Sequence, residues 1–266
     1  MPVLGFIGTG NMGGALARAA AKNRENRLLL ANRGRAKAAE LAAELKGELA
    51  ENETVAKTAE YIFLGVKPHL LPGVLTALRE VFSGRESRFV LVSMAAGVEI
   101  ARLQELAGGN WPVIRLMPNT PCAVGEGMTL YDCSGNVTEE EERRFLAAMA
   151  GAGRFARLEE RLIDAGSAVS GCGPAFVDLF VEALADGGVA CGLPRAQAQE
   201  FAAQMTLGAA RLLLESGKHP GRLKDEVCSP GGSTIQGVRA LESGAFRAAV
   251  MNAVIAAFEK TAELGK

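Results

Sequence analysis

Gly8-Thr9-Gly10-Asn11-Met12-Gly13 directly follows the apolar run Val3–Ile7 and opens a helical pattern. This spacing suits a phosphate-binding turn. Gly8 allows the tight turn, Gly10 lets a pyrophosphate approach the backbone, and Gly13 permits close packing of helix on strand. Asn11 and Met12 begin a helix whose unpaired N–H groups and positive dipole end suit phosphate. At the end of the next apolar run, Arg27–Ala31, a carboxylate would hold a ribose 2′-hydroxyl. The chain has Asn32-Arg33 there instead, with Arg35 and Lys37 close behind. Arg33 can pair with a 2′-phosphate and Asn32 can donate a hydrogen bond to it, whereas the bland alternative is a solvated basic turn. The pattern favours NADPH, with NADH at lower preference.

Three further loops follow later apolar runs: Val66-Lys67-Pro68-His69, Ser93-Met94-Ala95-Ala96-Gly97 and Met117-Pro118-Asn119-Thr120-Pro121. Ligands of open parallel sheets bind along the carboxyl edge, where these loops would lie. Lys67 could orient an amide or an acid, or be surface charge. Asn119, between Pro118 and Pro121, either fixes its loop or binds coenzyme, and His69 reads as structural or solvated. Far along the chain, Ser229-Pro230-Gly231-Gly232-Ser233-Thr234 precedes a short helix running to about Leu241. Its glycines let successive N–H groups converge on an anion such as a carboxylate, although an ordinary helix cap has the same composition. Thr234 adds a hydroxyl that can donate and accept.

The elements that must position these residues fall into two kinds. Strands are expected at 3–7, 27–31, 61–66, 89–93, 113–117, 128–131 and 154–158, and crossover helices at 14–23, 35–45, 70–81 and 100–106. Such alternation argues for an α/β Rossmann-type domain with a mostly parallel sheet. Thr138 and Glu141 form a capping box that opens a helix over Glu139–Met149. Beyond about residue 160, long Ala/Leu-rich helices are expected at 175–189, 195–215 and 246–264, with 163–169 interrupted by Gly171-Cys172-Gly173-Pro174. The expected domains are therefore 1–160, holding the coenzyme, and an all-helical 161–266. The helical part is small for its apolar content and predicts a homodimer.

Composition excludes several classes. The chain's 29 basic and 30 acidic residues leave a net charge of −1, which gives no footprint for nucleic acid. Five cysteines without a CxxC pair suit free thiols in a reducing cytoplasm, and two distant histidines argue against a zinc site, so no metal is expected. No apolar stretch reads as a signal peptide or a membrane span.

Taken in order, GxGxMG at 8–13, Val66-Lys67-Pro68, MPNTP at 117–121, Ser170-Gly171-Cys172-Gly173-Pro174-Ala175-Phe176 and SPGGST at 229–234 resemble the pyrroline-5-carboxylate reductases over essentially the full length. The resemblance implies NADPH-dependent reduction of (S)-1-pyrroline-5-carboxylate to L-proline, the last step of proline biosynthesis. It also implies a helical domain that interlocks in a dimer and sometimes assembles further. By similarity, Asn52 approaches the adenosine part of the coenzyme, and Ala95 and Asn119 lie near its nicotinamide. The amides around Gly232, Ser233 and Thr234 would hold the substrate carboxylate, with the Thr234 hydroxyl near the ring nitrogen. Cys172 stands where the family usually has Ser, so that substrate-facing contact differs. Thr234 and Lys67 are the catalytic candidates. Other readings are a reductase of a different cyclic imine or keto acid and a non-catalytic coenzyme sensor. A β-hydroxyacid dehydrogenase fits poorly, because 166–174 lacks the GxxGxGxxxK pattern.

Overall fold

The computed structural model describes residues 1–264 and divides into two compact units, residues 1–172 with the chain from Ala257 on, and Gly173–Ala256. The first unit is built on an eight-stranded sheet: β1 (Val3–Ile7), β2 (Arg27–Ala31), β3 (Glu48–Leu49), β4 (Tyr61–Leu64), β5 (Val90–Ser93), β6 (Val113–Met117), β7 (Gly127–Cys133) and β8 (Gly153–Arg157). Their order is β3-β2-β1-β4-β5-β6-β7-β8, and every pairing is parallel except β6 with β7. The chain runs outward from β1 to β2 and β3, then returns to place β4 on the other side of β1. That reversal opens the crevice in which Rossmann sheets take dinucleotides.

The central strands are apolar on both faces because helices cover both. With side chains alternating at period two, Leu4, Phe6, Leu30, Phe63, Val92 and Leu116 face one layer. That layer contains α1 (Asn11–Ala21) and α6 (Glu139–Met149), and Phe6 stacks on Phe63 with ring centroids 4.3 Å apart. Ile7, Leu29, Ile62, Leu64 and Leu91 face the opposite layer of α3 (Asn52–Thr58), α4 (Leu71–Ser83) and α5 (Ile100–Ala107). Between β2 and β3 runs α2 (Arg35–Leu45), closed by Lys46 in the left-handed region. The capping box of α6 is present: Glu141 N–H donates to Thr138 Oγ1 at 3.2 Å, and Thr138 N–H donates to Glu141 Oε2 at 2.8 Å.

α7 (Glu160–Ser170) packs on this sheet, burying Ile163 with Met117 and Leu130. The sequence places a domain boundary after residue 160, whereas the compact units part after Cys172. α7 stays with the sheet because Gly166 lets it approach β7: a Cβ there would stand 2.4 Å from Leu130 Cδ1. In this unit two short elements escape the sequence patterns. β3 has two residues and α3 seven, too few for either period to register.

The second unit contains α8 (Gly173–Ala190), α9 (Arg195–Ser216), α10 (Pro220–Val227), α11 (Ser233–Ser243) and the first part of α12 (Phe246–Leu264). Its buried core is small: Ala185, Ala198 and Ala202, with Val181 and Val189 against them. Leu179, Phe201, Met205, Leu212, Leu214 and Met251 are exposed. The helical run Glu160–Ala190 is long and apolar enough, by length and composition alone, to cross a membrane.

Candidate functional site: a dinucleotide cradle and an open helix end

The turn after β1 is built by glycines that touch one another. Gly8 has φ +97° and donates its N–H to Ala31 O at 2.8 Å, which draws the loop onto the end of β2. A Cβ on Gly13 would meet Gly8 O at 2.1 Å, and one on Gly65 would meet the same oxygen at 2.3 Å. Only three glycines fit this junction. Gly65, just beyond β4, escapes sequence reasoning because its partners lie more than fifty residues away and no local spacing marks it. Gly10 differs: a Cβ there would meet nothing within 4 Å, so open space lies above the backbone where a pyrophosphate must come close. α1 begins at Asn11 and Met12 with no acidic side chain in its first turn. Its positive end is thus free for an anion.

The turn after β2 supplies the second part. Asn32 accepts a hydrogen bond from Thr9 N–H at 3.3 Å and donates Nδ2 to Gly34 O at 3.2 Å. Its amide therefore braces the glycine loop and retains one N–H for a ligand. Arg35 pairs with Glu51, whereas Arg33 is exposed and makes no hydrogen bond or ion pair among the described residues. Asn52 is half-buried at the start of α3. The Thr9 hydroxyl is buried without a partner in this same loop. Open space over Gly10, an uncapped helix end and a free guanidinium fit a dinucleotide with a 2′-phosphate.

The other carboxyl-edge loops follow. Val66 is half-buried, and the exposed Lys67 precedes the short 3-10 turn Pro68–Leu70, accepting Leu70 N–H on its carbonyl at 2.9 Å; the side chains of Lys67 and His69 lack hydrogen-bond or ion-pair partners among the described residues. Ala95 is buried, and its N–H donates to Ser93 Oγ at 3.3 Å. Asn119, also buried, uses both ends of its amide: Nδ2 donates to Ser170 O at 3.0 Å and Oδ1 accepts from Met128 N–H at 3.0 Å. It fixes the end of β6 to the start of β7 and to the last turn of α7. Beyond that turn, Cys172 is half-buried and its N–H donates to Ser167 O at 3.0 Å.

In the second unit, Gly231 adopts φ +70°, and Gly232 N–H donates to Ser229 O at 3.0 Å. This tight turn delivers the chain into α11 with Gly232 as N-cap and no side chain closing the helix end. Ser233 and Thr234 are exposed in the single chain. Lys224 pairs with its neighbour Asp225 before this turn. No cluster of three or more His, Cys, Asp or Glu side chains suited to a metal occurs among the described residues.

Fold and cradle together define a Rossmann-type, dinucleotide-dependent oxidoreductase. Residues 160–264 match the family model for pyrroline-5-carboxylate reductase dimerisation, and residues 3–97 match that for NADP oxidoreductase, coenzyme F420-dependent. The chain is 41% identical to the pyrroline-5-carboxylate reductase of Glycine max, covering 98% of this chain and 95% of that protein. It is 40% identical to the Escherichia coli enzyme, covering 99% and 98%. The NADP-bound crystal structure of Plasmodium falciparum pyrroline carboxylate reductase superposes with a TM-score of 0.89 at 33% identity, covering 100% of this chain and 98% of that one. The chain belongs to the pyrroline-5-carboxylate reductase family.

Proposed function

We propose that this chain reduces (S)-1-pyrroline-5-carboxylate to L-proline with NADPH, as a homodimer that can assemble further, in the cytoplasm. The glycine junction at Gly8, Gly13 and Gly65, with the unpaired Arg33 beside it, carries the reading: in a member of this family it supports a cradle for NADP. Gly8, Gly10, Asn11, Met12 and Gly13 take the pyrophosphate, Arg33 and Asn32 the 2′-phosphate, and Asn52 the adenosine side. Val66, Lys67, Pro68, Ala95 and Asn119 shape the nicotinamide end. Once bound, NADPH supplies a hydride to the imine carbon C5 of the substrate.

The protein's own contribution is placement and charge. The backbone amides at Gly232, Ser233 and Thr234, at the positive end of α11, hold the substrate carboxylate. The Thr234 hydroxyl orients the ring nitrogen, which carries a proton when C5 is most electrophilic, and Cys172 presents a thiol where the family usually has a hydroxyl. That thiol is larger and a weaker donor, so it shapes the substrate side without covalent chemistry. Lys67 adds positive charge near the acidic substrate.

The test is turnover with Thr234→Ala. Losing an orienting hydroxyl is expected to lower kcat by about 10–100-fold while leaving NADPH affinity unchanged. A folded T234A protein with wild-type turnover removes Thr234 from this role.

A further inference from the structure

Arg115 sits in the middle of β6, flanked in sequence by the fully buried Ile114 and Leu116, and is itself 1% exposed. Nothing in the coenzyme cradle needs it. An apolar side chain of similar size would fill the space, and replacing a buried ion pair by apolar groups is often neutral or stabilising. A guanidinium here therefore calls for a geometric reason. Its Nη2 donates to Asp164 Oδ1 at 2.6 Å and its Nη1 reaches Glu160 Oε1 at 3.4 Å, while Nε has no partner. Both carboxylates belong to the first turns of α7, four residues apart and on one face.

Glu160 extends the connection. Its Oε1 accepts from Ile100 N–H at 2.7 Å, at the start of α5, where the N-cap Glu99 offers no side-chain bond of its own. A carboxylate from α7 thus closes the positive end of α5, and through it fixes the loop containing Ala95. Glu160 N–H donates to Asp132 Oδ2 at 2.9 Å, which binds the same turn to β7. At the far end of α7, Asn119 holds Ser170 O, and the helix runs directly into Gly171-Cys172. β6 and the loop after it therefore grip α7 at both ends, through Arg115 and Asn119.

We propose that Arg115 is a positioning residue for the reduction: acting through Glu160 and Asp164, it sets the register of α7 on the sheet. The 94–97 loop and the Cys172 segment are thereby kept in place. The proposal rests on the assignment of these two segments to the active site. The phosphate cradle lies on other strands and is not held by this network.

Arg115→Met tests it. The expected result is a fall in kcat of about tenfold or more and a raised KM for pyrroline-5-carboxylate, with NADPH affinity by fluorescence titration changed less than about twofold, because small misplacements of reacting groups are costly. Asp164→Asn, at a partly exposed position, is expected to show the same split more weakly, and it serves if R115M does not fold. Arg115→Lys keeps the charge but cannot reach both carboxylates in one fork, and should restore only part of the rate. Wild-type kcat and KM in a folded, NADPH-binding R115M protein, or in D164N where R115M does not fold, overturn the proposal. Ala95→Leu separates the two levels: a loss there with none in R115M overturns the strut alone. No loss in A95L overturns the site assignment beneath it.

Discussion

At the scale of single residues, two neighbours in one turn do different work. Asn32 ties the glycine loop to β2, whereas Arg33 stands free. Replacing Arg33 with Ala should therefore raise the KM for NADPH by about 10–100-fold, the worth of a charge-assisted bond of about 1.5–3 kcal/mol, and leave NADH nearly unchanged. Asn32→Ala should weaken both coenzymes, because it loosens the loop that both use, with a smaller further loss for NADPH from the 2′-phosphate contact. Steady-state kinetics with each coenzyme checks the contrast, and equal effects of R33A on both would refute the assignment. Gly13→Ala is predicted to abolish binding of either coenzyme, since its Cβ would strike Gly8 O at 2.1 Å. The sequence made Gly8, Gly10 and Gly13 readable because their spacing is local. It hid Gly65 and the bracing role of Asn32, which depend on contacts between separate strands.

At the scale of elements, α6 offers a test of stability isolated from the chemistry. Thr138→Ala should cost about 1 kcal/mol by removing the cap, read as a lower Tm with unchanged kcat. Glu141 is partly buried, which alone would raise its pKa. Hydrogen bonds from Arg88 and from Thr138 outweigh that and hold it below the ordinary carboxylate range. A carboxylate depressed in the folded state contributes stability that is present above its unfolded pKa of about 4.3 and is lost as pH falls through the folded value. Thermal unfolding between about pH 5 and 3 should accordingly show a smaller acid-induced drop in Glu141→Gln than in the parent chain. The capping box, the seven longer strands and most helices were legible because periodicity and cap chemistry are properties of neighbouring residues. β3 and α3 were not, since two and seven residues give too few repeats of a period, and α10 was not because it buries none of its residues and so shows no apolar face. The attachment of α7 to the sheet was hidden for another reason, since it turns on Arg115 and Gly166 meeting groups distant in sequence.

At the scale of the molecule, the helical unit buries little of its own apolar surface. Leu179 is 67% and Leu214 68% exposed, and a groove of about 390 Å³ runs between Phe176, Leu179, Phe180, Phe246 and Val250. Exposed apolar surface on this scale marks an interaction surface, in keeping with the dimerisation model that this stretch matches. Sedimentation should show a dimer, and Leu179→Glu or Met205→Glu should shift it toward monomer with loss of activity. A monomer at all concentrations in the parent protein would contradict this. The central claim concerns the acceptor of the hydride, and one measurement addresses it most directly. Oxidation of NADPH by the purified protein is followed by absorbance with pyrroline-5-carboxylate and, separately, with other cyclic imines and keto acids. The expected result is rapid, saturable oxidation with pyrroline-5-carboxylate, formation of L-proline, and far lower kcat/KM for the others. No oxidation with pyrroline-5-carboxylate by folded, NADPH-binding protein, or a clear preference for another acceptor, would contradict it.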